Sequence, residues 1–187
     1  MAVLAQVPAG VPYDPATHPN PIVTWVRNQD FKPATFAQAE QLSGVELMGL
    51  SQDEGRRELM EIASPAQSLR RVQILNNNIE VTFYAVARQT YRLKSGHTFV
   101  MCSFRFPRAP TSAEALNDAA FTPPRRPADA RFGPLNAPDK IDIRDVPGLL
   151  FDNGKERTIY WFEMGAGHTV TTDAAKEELF RVLEDLL

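Results

Sequence analysis

Residues 71–106 read RVQILNNNIEVTFYAVARQTYRLKSGHTFVMCSFRF, and the fold turns on this stretch. Val72 and Ile74 alternate with polar neighbours. Asn76, Asn77 and Asn78 follow, and asparagine tolerates positive φ, so a tight hairpin is expected there. Across 79–88 one face carries Ile79, Val81, Phe83, Ala85 and Ala87. The other carries Glu80, Thr82, Tyr84, Val86 and Arg88. That is a period of two in β-branched and aromatic residues, the mark of a strand. Lys94-Ser95-Gly96 makes the next turn. Residues 98–106 return with Val100, Cys102, Phe104 and Phe106 on one side. Three consecutive antiparallel strands are expected.

Proline divides the rest. Six prolines fall in residues 8–33, one in 34–106, eight in 107–147 and none afterwards. Proline removes an amide donor and fixes φ, so dense proline excludes continuous helix and central strand. The expected division is a Pro-rich arm with a first strand over 1–33 and an α+β domain over 34–187. The latter includes a Pro/Arg-rich excursion over 107–147. A loop that long inside a compact domain is either functional or mobile.

Outside the central stretch, 22–26 reads as the first strand. Thr35 caps a helix ended by Ser43-Gly44. Residues 45–50 are apolar enough for a short strand. Ser51 then caps a helix over 53–63, with Leu59, Ile62 and Ala63 at helical spacing. Residues 112–120 suit one or two helical turns, and 141–146 a short strand. Asp152-Asn153-Gly154 joins another hairpin, which Gly165-Ala166-Gly167 ends. A last helix carries Leu179, Val182, Leu183, Leu186 and Leu187 on one stripe. It either covers the sheet or docks on another chain. The class is α+β: one domain, mainly an antiparallel sheet with flanking helices and a C-terminal amphipathic helix.

Composition bounds the function. The 187 residues are 43% hydrophobic and 23% charged, enough for a sizeable core. No apolar run nears the ~20 residues of a membrane-spanning helix. The lone Cys102 excludes an internal disulfide and a multi-cysteine metal cage. The net charge of -3 argues against a generally basic nucleic-acid binder. The start lacks a basic region followed by a long apolar run, which fits the cytoplasm; a mature secreted form fits it too.

Residues 45–50 and 96–102 resemble the first- and third-strand signatures of RNA-recognition-motif domains, with 53–63 as the intervening helix. Glu46, His97 and Cys102 stand where those signatures carry aromatics. The resemblance implies single-stranded RNA stacked on sheet aromatics.

Three functions follow as expectations. The leading one is a non-catalytic interaction protein that binds a protein partner through Arg105, Arg108, Arg125, Arg126, Arg131 and Phe132, together with a sheet edge. Arginine and aromatics are enriched at interface hot spots. The second is nucleic-acid binding on Tyr84, Arg88, Tyr91, Arg92 and Phe99. The third is a small hydrolase-like enzyme using His97 and His168, if both meet at one end of the sheet. Asp152, Glu163 or Asp173 would then orient them. Cys102 reads as a core residue. Gly165-Ala166-Gly167-His168 resembles a phosphate loop but lacks its lysine. No cofactor and no metal are expected, and the oligomeric state is left open.

Overall fold

The computed structural model describes residues 29–63, 85–105 and 138–187, residues 23, 26 and 27, and two short strands within 72–79. Its elements run β1 (Phe31–Pro33), α1 (Phe36–Ser43), β2 (Gly55–Ala63), β3 (Val72–Ile74), β4 (Asn77–Ile79), β5 (Val86–Leu93) and β6 (Thr98–Arg105). Then follow β7 (Asp139–Ile143), β8 (Val146–Asp152), β9 (Arg157–Glu163), β10 (Ala166–Thr172) and α2 (Lys176–Glu184). Eight strands form one antiparallel sheet in the order β1-β2-β5-β6-β10-β9-β8-β7. β3 and β4 pair only with each other. No helix among the described residues is long and apolar enough to cross a membrane.

Local chemistry explains several elements. Thr35 accepts from the Gln38 amide, Gln38 bonds back to Thr35, and Gly44 ends α1 at φ 64°. β5 and β6 join through Lys94-Ser95-Gly96, with Gly96 at φ 90°. β7–β8 and β9–β10 join through two-residue turns with positive φ at both positions, Arg144-Asp145 and Met164-Gly165. The β8–β9 hairpin forms where Asp152-Asn153-Gly154 places it. Its Asn153 side chain accepts from the Lys155 and Glu156 amides.

Several expectations are corrected. Val23, Val26 and Arg27 are helical, where a strand was expected at Val23 and Val26; the rest of 22–26 lies outside the described residues. Residues 45–49 lie outside any strand, and Leu50 makes one bridge to Leu186. The helix expected over 53–63 is the strand β2, which removes the resemblance to RNA-recognition motifs. Beyond the register shift at Arg57/Leu59 the strand is buried on both faces, at Met60 and at Ala63, so its apolar residues do not alternate and their spacing mimics a helix. Of the three consecutive strands, β5 and β6 are neighbours, while the 72–79 hairpin stands apart. The strand before Gly165 does end there, at Glu163, but the chain turns at Met164-Gly165 and re-enters the sheet as β10, which includes Gly167. α2 starts at Lys176, after Ala175, with no side-chain cap. The expected turns over 112–120 lie outside the described residues.

One face of the sheet is covered by helix. Leu179, Val182 and Leu183 of α2 share a core with Phe99, Met101, Leu150, Ile159, Trp161 and Val170. Each such side chain, once buried, contributes about 1.5–3 kcal/mol. Leu186 joins this core, but Leu187 is exposed. A second cluster joins Ala39 of α1 and the 45–47 segment to Met60, Ala87 and Ala166. On the opposite face Cys102, Phe104, Leu149 and Tyr160 are also buried. Arg27 donates there to Glu156 at 2.6 Å, Thr158 at 2.8 Å and Thr171 at 3.1 Å.

Gly148 is fixed by close approach. A Cβ there would lie 2.6 Å from Ile143 Cδ1 and 3.2 Å from the Tyr160 carbonyl oxygen. Gly148→Ala is expected to lower stability in urea by about 1–3 kcal/mol, through overpacking against β7 and β9. An unchanged urea midpoint would contradict this packing.

Candidate binding cleft

β6 ends, and the β7–β8 and β9–β10 turns lie, at the same end of the sheet. There they surround a cavity of about 320 Å³, whose lining includes residues 44–48, Arg105, Arg144, Glu163, Met164, His168 and Leu187. The 45–50 segment, outside the named strands, is held by core packing of Val45, Leu47 and Met48, by polar bonds and by one backbone bridge. Gln89 Nε2 donates to the Met48 carbonyl at 2.7 Å, and the Leu47 amide to Glu40 at 3.2 Å. Gly49 and Leu187 exchange backbone bonds of 3.1 and 3.0 Å.

His168 sits on the cleft floor and is buried. The two-residue turn makes Glu163–Ala166 a hydrogen-bonded closing pair. Counting along β10, the backbone polar groups of His168 therefore face Trp161, and its pair with Ser103 is the close, non-hydrogen-bonded kind. That closeness brings Ser103 Oγ to 3.0 Å from His168 Nδ1. The imidazole stacks on Trp161 with centroids 5.1 Å apart. Burial pushes its pKa down to about 4, which the Arg144 charge reinforces and a bond to the Glu163 carbonyl opposes. The ring is neutral at pH 7. A carbonyl can only accept, so the ring N–H goes to Glu163 and Nδ1 accepts from Ser103.

Arg144 and Glu163 lie across the cleft wall. Arg144 Nε is 3.5 Å from Glu163 Oε1, and Arg144 Nη1 donates to the Leu186 carbonyl. Trp161 Nε1 donates to Glu163 Oε2 at 3.1 Å. Arg105 Nη1 donates to the Gly44 carbonyl at 3.3 Å.

The structure separates the two histidines proposed to act together. His97 is half exposed beside Asp173, with Nδ1 3.3 Å from Oδ1. It lies six positions from Ser103, roughly 20 Å along the strand direction at ~3.4 Å per residue. Asp173 thus orients His97, but no shared catalytic pair forms. Cys102 is buried, and burial pushes its thiol up to about 12, so it is a core residue and no nucleophile.

The nucleic-acid platform is also corrected. Tyr91 and Phe99 are buried and meet edge to face at 6.2 Å under the helices. They offer no ring to a base. Arg88 lies on the opposite face, 2.7 Å from Glu61 and 3.7 Å above the Phe31 ring centroid. Arg92 bonds Thr98 and the Gly96 carbonyl at 3.1 Å. Tyr84, Arg108, Arg125, Arg126, Arg131 and Phe132 lie outside the described residues. Of the proposed partner-binding residues, Arg105 is described, and it lines the cleft.

Ser103, Arg144, Glu163 and Met164 were not read as one site, because they meet only through strand register. The usable signal was Met164-Gly165, a pair able to turn between two strands. Among the described residues no three His, Cys, Asp or Glu side chains converge to hold a metal. Compared with protein families, with curated proteins and with solved structures, the chain matches none.

The His168 environment makes a pH prediction. Its pKa falls from the ordinary 6.5 to about 4 on folding. Between these values the unfolded chain binds the extra proton, so stability falls as pH drops from 6.5 to 4 and rises in the reverse direction. The expected contribution is about 3 kcal/mol at full effect. Urea unfolding across this range should show a steeper pH slope for the wild type than for His168→Gln. Equal slopes would contradict a neutral buried ring.

Proposed function

We propose that this chain is a non-catalytic binding module for a protein partner, with the cleft end of the sheet in the contact surface. One observation carries the reading. Met164 holds φ 53° and is 81% exposed. A left-handed conformation costs a residue with a Cβ roughly 1–2 kcal/mol, and exposure returns no packing energy. Arg144, at φ 50°, differs because its side chain is anchored to Glu163 and the Leu186 carbonyl. A strained and exposed large apolar residue fits a surface kept for contact rather than for the fold. Arg105, which lines the same cleft, supplies a residue type common at interface hot spots. β6 leads from Arg105 toward the Pro/Arg-rich excursion, which extends the proposed surface in sequence.

The test separates stability from binding. Met164→Asn should raise stability by about 1 kcal/mol, because asparagine tolerates the left-handed region. It should also weaken capture of the protein that immobilised wild type takes from its native extract, and Arg105→Glu should do the same. Capture of no specific protein, or capture by both variants undiminished from wild type, would overturn the reading.

A further inference from the structure

We propose that the cleft binds a small zwitterion with an apolar side chain, of the chemical class of a free α-amino acid. This goes beyond the partner-binding reading and does not require it. Four charged side chains line the cleft: Glu46, Arg105, Arg144 and Glu163. Arg144 and Glu163 lie against each other, so their charges offset. Arg105 and Glu46 remain, with opposite signs. No ion pair joins them to each other or to any other charge among the described residues.

Both line the same cavity, and Arg105 is bonded to Gly44, two residues before Glu46. Arg105 packs against Gly44, with its Cδ 3.7 Å from where a Gly44 Cβ would stand. Its bond to the Gly44 carbonyl is long, at 3.3 Å, and uses one nitrogen of the guanidinium fork. The rest of that fork suits a carboxylate, which it can bind bidentately. Glu46, two residues beyond Gly44, is exposed and lines the same cavity. Its carboxylate suits an ammonium group. A simple carboxylate would bring its charge toward Glu46, and a simple amine toward Arg105. A zwitterion matches both.

The interior suits an apolar side chain. Val45, Leu47, Met48 and Ala166 line it and are buried, and the ring of His168 on the floor is neutral at pH 7. The volume of about 320 Å³ lies at the small end of ligand sites.

Isothermal titration of the full chain tests this with L-leucine, 4-methylpentanoate and 3-methylbutylamine, which keep the same apolar tail. L-leucine should bind saturably. Each single-ended analogue should bind about tenfold more weakly or worse, having lost one charged contact. Arg105→Gln and Glu46→Gln should each weaken L-leucine by about tenfold or more, at an unchanged melting temperature. No saturable binding of L-leucine, L-methionine or L-phenylalanine would overturn the proposal. So would 4-methylpentanoate binding as tightly as L-leucine, or unchanged affinity in both variants. The titration uses the purified chain and the small molecule alone, which keeps this result separate from partner capture.

Discussion

The pairing of β6 with β10 is the constraint on which the rest depends. It joins strands more than sixty residues apart in the chain and sets Ser103 opposite His168. Without it, the eight strands would split into two four-stranded sheets, β1-β2-β5-β6 and β10-β9-β8-β7. With it, eight strands share one sheet, and α2 can bury its apolar stripe on Phe99, Met101 and Trp161 together. The register also decides which strand ends lie side by side. It sets Arg105 opposite Ala166, next to the Met164-Gly165 turn, and so builds one wall of the cleft.

Electrostatics at that end follow from burial. His168 is enclosed between Ser103 and Trp161, and a charge there would lose its hydration. The ring therefore stays neutral and satisfies its two nitrogens within the protein. Arg144 holds the Leu186 carbonyl and lies beside Glu163, tying the end of the chain described here to the sheet. These groups make the floor and one wall stiff and uncharged in sum. Arg105, Glu46 and Met164 are left exposed at the cleft, and the binding proposals rest on them.

The sequence disclosed the elements whose causes are local. α1 was readable because its capping box and glycine stop lie within ten residues. The β5–β6 hairpin was readable from alternation and a glycine turn. β10 was missed because Gly165-Ala166-Gly167 resembles a breaker, whereas Gly165 turns the chain and Gly167 lies within the strand. β2 was missed because its second half is buried on both faces, at Met60 and at Ala63, which hides the period of two and leaves Leu59 and Ile62 at a helical spacing. The cleft had no local signature at all. Gly44, Arg105, Arg144 and Glu163 come from four separate stretches, and only the sheet order brings them together. Residue types alone also misplaced Tyr91 and Phe99, since aromatics on a strand look alike whether they face a helix or a ligand.

Proton NMR of the labelled full chain tests the β6–β10 register most directly. In a close, non-hydrogen-bonded antiparallel pair the two Hα atoms lie within nuclear Overhauser range. Ser103 with His168, and Met101 with Val170, should each show a strong Hα–Hα contact. Contacts displaced by one residue, or none between these strands, would contradict the register and remove the cleft with it.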